Sequence, residues 1–191
     1  MSIVGILLAA GSATRFGSDK LSHRLPHGVT IAAQAARHLH SVIPKVFAVV
    51  KPEADALAAA LSEHCAIVVC ENAAEGMGAS LACGVRAAGK ADGYVVALAD
   101  MPFVRSTSIA AVRDALTAGA AIAAPYFRAR RGHPVGISGS FFTQLLDAKG
   151  DEGARRLVAE NESRLVKIPV GDPGVIRDID TPDDLAPPLK V

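Results

Sequence analysis

Tryptophan is missing from this chain of 191 residues, and aromatic residues make up only 4% of it. A core must therefore be built from Ala, Val, Leu and Ile, which the 50% hydrophobic content supplies. An excess of one charge sign is lacking too. The formal net charge is +1 and no Lys/Arg run occurs, which argues against a nucleic-acid partner and against a membrane surface. Long apolar runs are absent. The stretch 3–10 is far short of the roughly 20 residues that cross a bilayer, and no basic segment precedes it. The expectation is a cytoplasmic chain without signal peptide or transmembrane helix. Cys65, Cys70 and Cys83 are odd in number and lack CxxC spacing, so neither a disulfide framework nor a zinc site is expected. Free thiols suit a reducing compartment.

What is present is an alternation of short β-rich runs with Ala-rich stretches. Residues 3–9, 46–50, 66–70 and 93–98 read as strands whose near-continuous apolar character predicts a parallel sheet buried on both faces. Helices are predicted over 30–42, 53–63, 78–89 and 106–118, with Ser106 as N-cap of the last. This order predicts an α/β, doubly wound, mostly parallel sheet. Further strands are expected at 120–125, 134–137, 165–170 and 175–179, and further helices at 139–147 and 151–160. The polar stretch 126–132, with Arg128, Arg130 and Arg131, reads as a solvated hairpin tip. Thr181-Pro182 opens a last short helix. Nothing splits the chain, so 1–191 is expected to be one domain.

Three segments carry chemistry. The first follows the opening strand: Gly11, Ser12, Thr14, Arg15, Gly17 and Lys20 form a loop of small residues and two cations. Glycines bring backbone N–H groups close to anionic oxygens, and Arg15 and Lys20 supply charge, which suits a polyphosphate. The loop has neither GxGxxG nor Gly-Lys-Ser/Thr, so hydride-transfer and P-loop readings are disfavoured. The second is Leu98-Ala99-Asp100-Met101-Pro102, which puts a carboxylate directly after a strand, where ligands of open α/β sheets bind. Asp100 either caps a turn there or faces the polyphosphate through a divalent cation. The third is Asp178-Ile179-Asp180-Thr181-Pro182-Asp183-Asp184. In an extended chain Asp178 and Asp180 share one side and could complete a Mg²⁺ site with Asp100, whereas Asp183 and Asp184 read as turn and cap residues. His23 and His27 lie four apart, but Pro26 spoils a helix between them, so they read as solvated loop histidines.

Taken in order, these segments resemble the MobA-like nucleotidyltransferases, and within them the molybdenum cofactor cytidylyltransferases of the MocA type. The family's LAAGxSxRMGxxK is matched by Leu8-Ala9-Ala10-Gly11-Ser12-Ala13-Thr14-Arg15-Phe16-Gly17-Ser18-Asp19-Lys20. Gly76-Met77-Gly78-Ala79-Ser80-Leu81 is similar to GMxxSL, and 98–102 to the metal-binding LADMP. Gly132-His133-Pro134 is similar to GHP, 150–155 to GDxGAR, and 178–182 to DIDTP. Phe16 stands where Met is commoner, and 21–28 is more polar than the family's KLLxPxxG-like run.

The resemblance implies a Rossmann-like fold of the nucleotide-diphospho-sugar transferase type. The nucleotide half would lie at about 1–105 and the acceptor half at about 106–191. The implied reaction moves CMP from CTP to the phosphate of molybdopterin, releasing pyrophosphate. Lys20, Arg15 and Asp100 would be catalytic. Asp100, Asp180 and Asp178 would hold Mg²⁺ or Mn²⁺. Leu8, Ala9, Ala10, Gly11, Ser12, Gly78 and Ser80 would hold the nucleotide, Ala10 being similar to the cytidylyl rather than the guanylyl branch. His133, Asp151 and Arg155 would hold the acceptor, and a recipient molybdoenzyme is an implied partner. Alternatives are transfer from GTP or to another phosphorylated acceptor, a non-catalytic cofactor carrier, and a MocA-like oxidoreductase.

Overall fold

The computed structural model describes residues 1–11 and 20–185. Eight strands, β1 (Ile3–Leu8), β2 (Val46–Val50), β3 (Ala66–Val69), β4 (Gly93–Leu98), β5 (Ile122–Phe127), β6 (Arg130–Arg131), β7 (Val135–Ser138) and β8 (Leu165–Pro169), form a single sheet. Its order is β3-β2-β1-β4-β7-β5-β6, with β8 paired to β5. The first four strands are parallel, while β7 runs antiparallel to both β4 and β5. The doubly wound α/β prediction therefore holds, with a mixed second half.

Among the described residues six α-helices cover the sheet: α1 (Ile31–His40), α2 (Asp55–Leu61), α3 (Met77–Ala88), α4 (Ser106–Thr117), α5 (Phe142–Leu146) and α6 (Arg155–Glu160). Side chains alternate across a strand, and β1 shows the result. Leu7 joins Ile31 and Leu39 of α1, Leu61 of α2 and Ile109 of α4 in one core layer. Val4, Ile6 and Leu8 join Leu81 and Val85 of α3, Leu145 of α5 and Val158 of α6 in the other. Burial on both faces explains why β1, β2 and β4 are almost wholly apolar. β3 departs from that expectation. It is the edge strand, and its two end residues, Ala66 and Val69, are exposed.

Registers Leu8↔Val49 and Leu8↔Leu98 bring the carboxyl ends of β1, β2 and β4 level, so the segments leaving them open onto one edge. The 126–132 stretch is the expected hairpin: Arg128 and Ala129 have positive φ (47° and 65°) between Phe127 and Arg130, the backbone a two-residue reversal needs.

Three predicted features are corrected. Residues 175–179 are not a strand. Pro173–Ile176 is a 3₁₀ turn, because the Asp172 carboxylate caps Gly174 N–H (3.0 Å) and Gly174 packs directly on the Phe103 backbone. Ser106 is not the cap of α4; it is the first helical residue, and Arg105 holds the cap position. The buried Asp172 supplies the missing acceptor from far along the chain, receiving Arg105 N–H (2.9 Å) and Ser108 Oγ–H (2.7 Å). Finally, the predicted helices at 139–147 and 151–160 each begin as a 3₁₀ turn, Gly139–Phe141 and Gly150–Glu152, before α5 and α6.

Candidate active site

The site is assembled at the level edge of the parallel strands. The Ala99 N–H donates to the Leu8 carbonyl (3.0 Å), tying the end of β4 to the end of β1, and the chain then turns at Asp100. The turn is closed by Met101 N–H to the Leu98 carbonyl (3.3 Å). From the other end of the chain, Ile179 N–H donates to the Asp100 carbonyl (2.9 Å) while the Ile179 side chain enters the core. Asp178 and Asp180, on either side of it, are thereby brought to Asp100, and oxygens of the three carboxylates lie within 4.8 Å of one another. The alternation in the sequence put Asp178 and Asp180 on one side, and the fold brings that side to Asp100. Among the described residues it is the only such group of three His, Cys, Asp or Glu side chains.

Lys20 enters this cluster from the 3₁₀ turn Lys20–Ser22. Its Nζ lies 3.0 Å from Asp100 Oδ2 and 3.3 Å from Asp180 Oδ1, and the residue is only 8% exposed. Burial works against the Lys20 ammonium, but Asp100 and Asp180 outweigh it and hold the charged form above its usual range. Burial pushes the Asp100 carboxyl up, the ion pair with Lys20 pulls it back, and the charge of Asp178 adds to the rise. A cation beside Asp100 therefore favours its ionised form. Asp180 is itself fixed by its own backbone: the Asp184 carboxylate accepts from Asp180 N–H (3.2 Å), Thr181 N–H (2.9 Å) and Thr181 Oγ–H (2.8 Å).

A cavity of about 720 Å³ opens in front of the acids, a size that accommodates a nucleotide-sized ligand. Leu8, Ala10, Gly11, Lys20, Ser80, Asp100, Asp151 and Asp180 border it, all of them predicted from the sequence. Gly76 and Met77 at the start of α3 form another wall. Gly76 has φ of 114°, and a Cβ there would strike the Gly150 backbone and Asp151, so this glycine lets the loop at 150–151 close on α3. Sequence reasoning missed Lys51, Pro52 and Glu53 after β2, and Glu71, Ala73 and Ala74 after β3. The rule that found Asp100, ligands at the carboxyl ends of strands, could have found them.

Other predicted residues lie elsewhere. Ala9 is buried behind the cavity wall, its N–H donating to the Val49 carbonyl (2.9 Å). Gly78 does not border the cavity. It lets α3 pack on the backbone of Lys149, which a Cβ would meet at 2.5 Å. His133 and Arg155 are not on the cavity wall either. His133 flanks a small hollow with His38, Leu98 and Met101. Its Nδ1 is shielded from solvent without a hydrogen-bond partner among the described residues. Burial, helped by the charges of Arg131 and Arg155, lowers the His133 pKa to about 4, while the Val96 carbonyl and Asp178 pull the other way. His27 is exposed and hydrogen-bonds to Gln34 Oε1 (3.1 Å). Ser12 and Arg15 fall outside the described residues.

A model of the MobA-like NTP transferase domain matches residues 5–165. The chain is 31% identical over 194 residues to the purine catabolism protein PucB of Bacillus subtilis, covering 95% of this chain and 93% of that protein. It is also similar to the crystal structure of Rv0371c from Mycobacterium tuberculosis, with 27% identity, 96% and 94% coverage and a TM-score of 0.84. The manganese complex of that protein matches with 26% identity, 96% coverage of both chains and a TM-score of 0.78. With its sheet, its level strand ends and its acid cluster in place, the chain belongs to the MobA-like NTP transferase family, a family of nucleotidyltransferases.

Proposed function

We propose that the protein transfers CMP from CTP to the phosphate of molybdopterin, giving molybdopterin cytosine dinucleotide and pyrophosphate. The observation that carries the reading is the meeting of Lys20, Asp100, Asp178 and Asp180 at the mouth of a nucleotide-sized cavity. Three carboxylates offer the hard oxygen donors that Mg²⁺ or Mn²⁺ prefers, and the Rv0371c relative has been crystallised with manganese. Asp100, Asp180 and Asp178 would hold that ion, which supplies charge neutralisation between two phosphate groups when bound.

The remaining work falls to the chain itself. The acceptor phosphate is already an oxyanion, so no Ser, Cys or His nucleophile is needed, and catalysis is positioning plus electrostatic relief at the α-phosphate. Lys20 provides a positive charge at the cavity wall for the triphosphate, and Arg15, earlier in the same segment, would add a second. Main-chain groups at Ala10 and Gly11, which line the cavity together with Ser80, would hold the base. Asp151 brings the acceptor half to the same cavity. His133 and Arg155 sit apart from it, so their contact with the acceptor rests on its extending past Asp151. The division into halves at about residue 105 is part of the same proposal.

The experiment is pyrophosphate release with Mg²⁺, molybdopterin and each of CTP, GTP and ATP. Release with CTP alone is expected. Release with GTP alone assigns the guanylyl reaction instead, and no release with any nucleotide contradicts the transferase reading for this acceptor.

A further inference from the structure

We infer that Lys20 occupies the place of the metal in the nucleotide-free protein, so that the divalent cation binds firmly only together with the nucleoside triphosphate. This rests on the proposed metal–nucleotide site and adds a binding order to it. The Lys20 ammonium sits between Asp100 Oδ2 and Asp180 Oδ1 at 3.0 and 3.3 Å, two of the three carboxylates of the cluster. A Mg²⁺ or Mn²⁺ ion held by the same oxygens would need the place the ammonium fills. Both cations cannot fill that gap at once, so either one displaces the other.

Two further observations bear on the exchange. Lys20 is 8% exposed, so its ammonium needs an anion beside it whichever partner it faces. It also borders the cavity, where a triphosphate would offer it an alternative anion within the swing of its flexible four-carbon stem. Arrival of the nucleotide draws Lys20 off the carboxylates and frees them for the metal. Thermodynamic linkage makes the effect mutual: nucleotide tightens metal binding and metal tightens nucleotide binding by the same factor.

The test is a titration of Mn²⁺ followed by electron paramagnetic resonance, with wild type, Lys20→Met and Asp100→Asn, each with and without a non-hydrolysable CTP analogue. Methionine keeps the length of the stem and removes the charge. The expected result is Mn²⁺ affinity at least tenfold higher in free Lys20→Met than in free wild type. The analogue should tighten binding to wild type at least tenfold and to Lys20→Met much less. Thermal melting provides a second reading that also reports folding: Mn²⁺ should raise the melting temperature of Lys20→Met more than that of wild type. Equal or weaker Mn²⁺ binding in free Lys20→Met overturns the exchange while Asp100→Asn still reports the metal site. Absence of Mn²⁺ binding to wild type with the analogue present overturns the metal–nucleotide site itself.

Discussion

His133 carries a pH dependence that can be worked out from its surroundings. Its ordinary value is 6.5, and burial lowers it to about 4 in the folded chain. The unfolded chain therefore takes up a proton that the folded chain refuses between these values. The stability held by the neutral ring is complete above about pH 6.5, is lost as the pH falls towards about 4, and changes no further below that. The gap corresponds to roughly 3 kcal/mol at most, and less for a ring that is only half-buried. Urea unfolding at pH 7.5 and 4.5 should show a fall in stability of about 1–3 kcal/mol in wild type that is largely missing in His133→Gln. An equal fall in both would assign the loss to other groups. The sequence showed the His-Pro pair but not this value, which depends on Arg131, Arg155 and the Val96 carbonyl being folded around the ring. Asp184 is a similar case. As a cap residue it was legible, but that its carboxylate grips Asp180 N–H and Thr181 follows only from the turn they make together.

At the scale of elements, α4 depends on an acid that lies far from it in sequence. The cap position falls on Arg105, whose side chain makes no capping bond, and Asp172 accepts from both Arg105 N–H and Ser108 Oγ. Asp172 also starts the turn Pro173–Ile176 through Gly174 N–H, so one carboxylate holds two elements. Asp172→Ala leaves these donors, those of Ser108 and Gly174 buried, unpaired and should cost about 1–3 kcal/mol, or somewhat more since the acceptor is charged. Chemical denaturation checks it; a loss below about 0.5 kcal/mol would mean that water replaces the cap. In α1 the cap is local instead: Thr30, read from the sequence as the first helical residue, is the cap and accepts from Ala33 N–H (3.2 Å). The strands β1, β2 and β4 were legible because burial on both faces leaves an apolar run. Residues 175–179 carry apolar residues too, but Pro173 removes a donor and Gly174 fits against Phe103, which converts the start of the run into a turn.

The whole molecule brings together segments that are remote in the chain. Lys20 follows the first strand, Asp100 the fourth, and Asp178 and Asp180 come after the last, yet they meet at one edge because β1 and β4 are neighbours in register. Their motifs were readable separately, and strand-end logic predicted that Asp100 and the opening loop would share an edge. The second wall, Lys51, Pro52 and Glu53 with Glu71, Ala73 and Ala74, was overlooked, though the same strand-end logic reaches it once β2 and β3 are placed beside β1. The central claim is that this edge is a metal-dependent nucleotidyl-transfer site, with Asp100 at its centre. Its most direct test is the initial rate of pyrophosphate release from CTP in the presence of Mg²⁺ and molybdopterin, for wild type and Asp100→Ala at matched folded concentration. Loss of the carboxylate should lower the rate by a factor of ~10³ or more. An unchanged rate in Asp100→Ala would contradict the account.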